Sequence, residues 1–301
     1  MKSDALWLRA HIIRTIRDFF WERGFLEVET PLLIPANAPE EHINPVTALP
    51  WQLQTSPEIC MKRLLCRGHQ RLFQISHCWR ADERGSRHLS EFTMLEWYRA
   101  GSDYQALMAD CEGLLQNVAT HCMPDNPFYR HKSLIIDPFR FWRHITVQEA
   151  FLQFGHADVW DCLQKGQYEE VLTGHIEPKL AEFSEPVILM DYPSELAALA
   201  CLKPGHEKLA ERFELYLGGL ELANGFSELN DPDEQRSRFE EANCVRLKNG
   251  STPLPLPEPF LRELADMPAS AGIALGVDRL VMLAAGADTI DEVVAFTPEE
   301  I

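Results

Sequence analysis

The stretch Phe73–Tyr98, FQISHCWRADERGSRHLSEFTMLEWY, decides the fold. Its first part reads as a strand that ends at Arg80, a charged loop follows, and EFTMLEWY returns as a second strand. The period of two puts Phe92, Glu96 and Tyr98 on one face of that return strand. A distant stretch, Gly272–Leu283, GIALGVDRLVML, answers it: a strand passes through Gly-Val-Asp-Arg into an apolar helix. Between the two, FELYLGGLELANGFSEL at 213–229 reads as two strands joined at Gly218-Gly219, a pair suited to a tight hairpin turn. With that turn Tyr216 faces Glu221, and Glu214 and Glu221 become diagonal neighbours on one face. Two like charges so close are unfavourable unless a cation sits between them. Leu215, Leu217, Leu220 and Leu222 imply that the other face is buried, and Asn224-Gly225 is the expected place for a bulge that re-aims Glu228.

Outward from this centre, Ser3 or Asp4 can cap a helix carrying Leu8, Ile12, Ile16, Phe19 and Phe20, which Gly24 stops. FLEVETP then alternates like an edge strand closing on Pro31, and residues 32–55, with Pro35, Pro39, Pro45 and Pro50, read as an extended loop. TSPEICMKRLL looks like a helix opening at Thr55 or Ser56, with Pro57 in its first turn and Glu58 beside its positive end. Another amphipathic helix covers 102–118, and helical patches lie at 146–153 and 194–202. No internal repeat or linker breaks the chain, so a single domain over 1–301 is expected.

The 301 residues, 46% hydrophobic and 25% charged, suffice for a sizeable core. A net charge of −18 opposes attraction of the whole surface to a polyanion, leaving only local basic patches for phosphate. One such patch in the sequence is Lys62, Arg63, Arg67, Arg71, Arg80, Arg84 and Arg87, read here as the nucleotide-facing wall of an active site. Eight scattered cysteines and eleven histidines show no zinc-type spacing and read as the reduced thiols and ordinary histidines of a cytoplasmic protein. Charges at Arg9, Arg14, Arg17 and Asp18 exclude a signal peptide, and no run of about 18 apolar residues follows to span a membrane.

The arginine strand, basic loop, return strand with an aromatic, and late GVDR together resemble motifs 2 and 3 of the class II aminoacyl-tRNA synthetases. The first helix and short strand are similar to motif 1, which in that class forms the dimer interface. The resemblance implies an α+β fold, an antiparallel sheet flanked by helices, and a homodimer. TSPE at 55–58, EFTMLEWY, GGLELANGFSELND at 218–231 and GIALGVDRLVML narrow it to the lysyl-tRNA synthetase group. Motif 1 starts within the first thirty residues, so no anticodon-binding domain is expected before it and tRNA is an unlikely acceptor. The truncated members of the group with this organisation are the elongation factor P β-lysine ligases, which AERFELYLGGLELANGF and the Ala of GIALGVDR also resemble.

What the resemblance implies is activation of a carboxylic acid by ATP with Mg²⁺, a chemistry of positioning and charge neutralisation. Arg80 suits the α-phosphate through its planar fork, Arg279 the terminal phosphate or one adenine face, and Phe92 the other face. Asp82, His88, Glu221 and Gly276 complete the expected ATP site, and Glu214 with Glu221 the metal site. By the same resemblance Glu96, Tyr98 and Glu228 hold a lysine side-chain ammonium, Ser56 and Glu58 lie near the backbone amine, and Asn224 lines the pocket. Ala274 stands where lysyl-tRNA synthetases carry Gly; one methyl can shift preference from α-lysine to (R)-β-lysine by about 1–3 kcal/mol. Asp82 replaces the Glu of the family's Arg-x-Glu, with Glu83 next to it, and Leu89 an ATP-contacting Asn. The expected acceptor is a lysine of elongation factor P. The alternatives are a free-standing activator that charges a tRNA or small amine, and a silent amino-acid-binding paralogue.

Overall fold

The computed structural model describes residues 2–301. Helix α1 (Lys2–Glu22) leads into β1 (Leu26–Glu27), then β2 (Leu33–Ile34), β3 (Thr47–Ala48) and β4 (Trp51–Leu53). Next come α2 (Glu58–Cys66), the long strands β5 (Arg71–Trp79) and β6 (Glu91–Ala100), α3 (Tyr104–Cys122) and a small hairpin, β7 (Tyr129–His131) with β8 (Leu134–Ile136). Strand β9 (Arg143–Thr146) opens a helical segment, α4 (Val147–Ala150), α5 (Val159–Gln164), α6 (Tyr168–Val171) and α7 (Glu177–Leu180). Strands β10 (Val187–Pro193), β11 (Leu202–Lys203), β12 (His206–Leu217) and β13 (Leu220–Ser227) follow, then α8 (Pro232–Lys248), α9 (Glu258–Glu263), β14 (Ser270–Gly276) and α10 (Val277–Ala285).

The architecture is α+β. One nine-stranded sheet runs β1-β5-β6-β14-β13-β12-β10-β9, with β11 against β12. Its central pairings are antiparallel, and only the outer pairs β1/β5 and β9/β10 are parallel. Alternation then sorts the residues. Phe73, Leu95, Trp97, Phe213, Leu215, Ile273 and Leu275 point into a core shared with Ile12, Ile16 and Phe20 of α1, Leu107 and Leu114 of α3, and Leu280 of α10. The residues between them, Met94, Glu96, Tyr98, Asn224, Gly272 and Ala274, face the opposite side, which is left open as a cleft. Helices α2 and α9 close one end of this side around Leu65, Leu72, Tyr98 and Phe260, and the α4–α7 segment packs a separate cluster on Val187, Leu189 and Tyr216.

The hairpin keeps its expected turn, with Gly218 and Gly219 at φ 57° and 74°, and Tyr216 pairs with Glu221. Its bulge lies elsewhere than expected. Leu215 pairs with Ala223 and Tyr216 with Glu221, so Leu222 is the extra residue, and Asn224-Gly225 pair regularly with Glu214 and Phe213. Leu222 and Ala223 both enter the core, which lets Glu221 and Asn224, three residues apart, line one cavity.

Local expectations also shift. Ser3 and Asp4 lie inside α1, Asp4 in its first turn, where its carboxylate faces the positive helix end. In FLEVETP only Leu26–Glu27 is strand, because the Gln74 side chain takes the Thr30 N–H (3.2 Å) and ends the backbone ladder. Residues 32–55 are not merely loop, since β2, β4 and β3 form a three-stranded sheet. Pro57 caps α2 from outside its first turn. The helical patch at 194–202 shrinks to one turn at Ser194–Leu196, because Cys201 N–H and Leu229 N–H draw this backbone into pairing with Ser227 and Leu199.

Candidate active site

The cleft contains two cavities that share a wall. The first is lined by Arg80, Glu83, Arg87, His88, Phe92, Glu221, Gly276 and Arg279, the second by Ser56, Glu58, Glu96, Tyr98, Arg212 and Phe226. Glu40, Arg80, Met94, Asn224 and Ala274 line both.

The first cavity is cationic. Arg80 follows β5 directly, its backbone held by the Ser90 carbonyl (2.9 Å) and its guanidinium 5.1 Å over the Phe92 ring. Its Nε is buried with no hydrogen-bond partner among the described residues, a donor available to a ligand oxygen. Arg279 enters from the first turn of α10 and donates to the Glu221 carbonyl (2.8 Å) and to His88 Nε2 (2.6 Å). Burial and Arg279 hold His88 below its usual pKa, so Nε2 accepts from Arg279 while Nδ1 stays available as a donor. Asp278, the acidic member of GVDR, is structural: it accepts from Arg9 (2.5 Å) and the Thr93 N–H (2.6 Å), fastening α10 to α1 and β6.

The acidic pair lies beside these cations. Burial first, then the Glu214 carboxylate, pushes Glu221 up to about 7. Glu214 accepts from Arg212 (2.7 Å) and Tyr216 Oη (2.7 Å). No group of three or more His, Cys, Asp or Glu side chains is placed to cage a metal among the described residues. A carboxylate pair whose repulsion Arg212 and Arg279 offset only in part, beside a wall of arginines, suits Mg²⁺, which is commonly held by one or two carboxylates plus substrate phosphates.

The second cavity is anionic. Glu96 accepts from Ser56 Oγ (2.6 Å) and Tyr98 Oη (2.7 Å), and Ser56 Oγ also caps the Glu58 N–H (3.0 Å). Glu58 and Glu228 grip Lys62 Nζ at 2.6 and 2.5 Å, with the Lys62 side chain fully buried. Burial opposes the charge on Lys62, but Glu228 and Glu58 outweigh it and hold the ammonium above the usual lysine range. Burial and neighbouring carboxylates push Glu96 up to about 7 and Glu228 up to about 8. Three carboxylates therefore share one internal cation, and a cationic ligand relieves the excess. Gly272 is required here, since a Cβ would lie 2.2 Å from both Glu228 Oε1 and the Tyr98 ring.

The expected site residues thus converge, except that Asp82, Glu214 and Glu228 line neither cavity; Glu214 and Glu228 are buried behind the walls, bonded to Arg212 and Lys62. Asp82 is exposed, lines neither cavity and has φ 67°; this left-handed turn sends Glu83 into the cavity in its place. The basic patch also divides. Lys62 belongs with the carboxylates Glu58 and Glu228, Arg63 and Arg67 hold Glu263, Arg84 holds Asp291 and Glu299, and Arg71 donates to the Arg23 carbonyl, leaving Arg80 and Arg87 at the cationic cavity. Sequence reasoning missed Glu40, the pairing of Lys62 and the role of Arg212, which bonds Glu214, Asn224 and the Leu196 carbonyl. Only Arg212 had a local signal, lying two residues before Glu214 on the same strand face.

A cationic cavity behind an Arg-loop-aromatic hairpin, a helix-borne arginine and one continuous, centrally antiparallel sheet define a class, and the family profile described as tRNA synthetases class II (D, K and N) matches residues 1–300. The chain belongs to that family. Within it, the chain is 38% identical to the elongation factor P–(R)-β-lysine ligase of Vibrio atlanticus over 304 residues, covering 96% of this chain and 94% of the relative. It is 40% identical to the ligase of the same name from Mannheimia succiniciproducens (97% and 94% covered) and 39% to that of Klebsiella pneumoniae (96% and 93%).

Proposed function

We propose that the chain joins a lysine isomer, (R)-β-lysine in preference to α-lysine, to ATP as an aminoacyl-adenylate and passes the acyl group to a lysine of elongation factor P. The observation that carries this reading is the shared wall of the two cavities. A cationic chamber for phosphates meets an anionic chamber for ammonium groups, which is where a carboxylate must meet an α-phosphate. Arg80 lies at that meeting point, Phe92 and Arg279 are disposed for adenine and the outer phosphates, and Glu58, Glu96 and Glu228 for the amines. Glu214 and Glu221 would hold a Mg²⁺ that offsets phosphate charge. The names of the relatives supply the acceptor, and a net charge of −18 favours a basic protein loop over tRNA. The continuous sheet supports one catalytic unit. Exposed Trp7, Trp21, Leu26, Leu32, Leu33 and Trp51, all within the first 51 residues, support pairing of two copies through this part of the chain.

Pyrophosphate exchange with each lysine isomer, followed by transfer of labelled lysine to purified elongation factor P or to total tRNA, tests the proposal. Label in the factor is expected; charging of tRNA with no labelled factor would overturn the acceptor, and no exchange with any isomer would overturn the activity.

Two further outcomes follow. Ala274 lies opposite Glu96 and Asn224 on the shared wall, so Ala274→Gly is expected to move the α- to β-lysine preference towards α-lysine by about 10- to 100-fold; an unchanged ratio removes the methyl from the specificity argument. Because Glu96 and Glu228 bind an ammonium best when ionised, the KM for lysine is expected to fall as pH rises through 7 to 8. A KM that is flat or rises over that interval contradicts their role.

A further inference from the structure

Glu40 belongs to no strand or helix and to none of the sequence patterns above, yet it is the one carboxylate that lines both cavities. Its place is built. The buried guanidinium of Arg246, on α8, donates to the carbonyls of Glu40 and Ile43 (both 2.9 Å) and to Asn44 Oδ1 (2.9 Å). The Asn44 carbonyl in turn accepts from the Ala81 N–H (2.7 Å), tying this segment to the residue after Arg80. The backbone is thus clamped from both sides, while among the described residues none hydrogen-bonds the Glu40 carboxylate. Charged groups face it from three elements: Arg80 and Glu83 from the loop after β5, Glu58 from α2 and Arg212 from β12. Arg87, His88, Glu221, Asp278 and Arg279 on one side and Glu96 and Tyr98 on the other complete the charged and titratable lining.

We propose that Glu40 is the proton acceptor of the transfer step. This rests on the reading that an aminoacyl-adenylate forms across the shared wall. The acceptor amine, arriving neutral, attacks the acyl carbon; the new C–N bond forms, the C–O bond to AMP breaks, and the phosphate oxygen keeps the electron pair. The surplus proton on nitrogen passes to the Glu40 carboxylate and from there to water when the products leave. A base for this step must sit beside the acyl–phosphate junction without being engaged by the protein, and Glu40 meets both conditions. Burial, with Glu58 and Glu83, outweighs Arg80 and Arg212 and pushes Glu40 up to about 7, so it can both take and release a proton near neutrality. Arg246 is its positioning residue.

The test separates the two half-reactions. Wild-type enzyme and Glu40→Gln are loaded with ATP and a lysine isomer, and transfer from the preformed adenylate is followed in single turnover to elongation factor P or to hydroxylamine. Hydroxylamine is largely unprotonated and strongly nucleophilic at neutral pH, so it has little need of a base. Glu40→Gln is expected to retain pyrophosphate exchange and reaction with hydroxylamine but to slow transfer to the protein lysine by about 100-fold or more. The wild-type transfer rate should rise with pH through about 7, where Glu40 becomes ionised, and the variant should lose that rise. Equal slowing with hydroxylamine and with the protein, loss of exchange, or unchanged transfer each overturns the proposal. Absence of exchange in the wild type instead overturns the activity on which it rests.

Discussion

Arg279→Ala is expected to lower pyrophosphate exchange by about 100- to 1,000-fold, the usual cost of removing one preorganised donor from a site of developing charge. Arg279 reaches the cationic cavity from the start of α10, and its guanidinium is held by the Glu221 carbonyl and His88. The donors left over keep a set direction, so little reorganisation accompanies reaction. The fold should survive, because Asp278, Arg9 and Thr93 anchor this helix independently. Circular dichroism of the variant gives the control. Exchange at the wild-type rate would show that the triphosphate lies elsewhere.

The second large effect is on stability. Lys62→Met should cost about 3–5 kcal/mol, because removing one partner from a buried ion pair leaves the other uncompensated. Against a total stability of about 5–15 kcal/mol, that is a severe loss. In the variant, Glu58 and Glu228 remain in the protein interior without their cation. Glu228, already pushed up to about 8, should rise further. A carboxyl whose folded pKa exceeds its unfolded value near 4 binds more protons in the folded state, so stability falls as pH climbs from there through the folded pKa. The variant should therefore unfold more readily than wild type in urea at pH 8, with a smaller gap at pH 5. A gap that is constant over this range would mean that lost packing, not charge, explains the defect. Lysine affinity should fall as well if the proposed substrate role of these carboxylates holds, since they lose their fixed geometry.

How much was legible in the sequence depended on whether neighbours along the chain were also neighbours in space. The alternation of EFTMLEWY placed Phe92, Glu96 and Tyr98 on one face, and the structure keeps them there. GVDRLVML gave the strand-to-helix passage, and Gly218-Gly219 the turn. Lys62 was misassigned because its nearest basic neighbours in sequence suggested a patch, whereas the partner that matters, Glu228, lies just beyond the end of β13. Glu40 was silent for the same reason: the Arg246 that positions it lies 206 residues away. Asp82 and Glu83 exchanged places through a backbone angle that no side-chain pattern announces.

The extra residue at Leu222 acts as a phase shift in the sheet. Counting by twos upstream of it does not predict which residues face the cleft downstream: back from Asn224, plain alternation would put Leu222 in the cleft and Glu221 on the hydrocarbon side, and the bulge reverses the two. Anyone grafting this hairpin into another scaffold, or aligning it with a relative that carries a gap nearby, has to conserve that offset before conserving any single side chain.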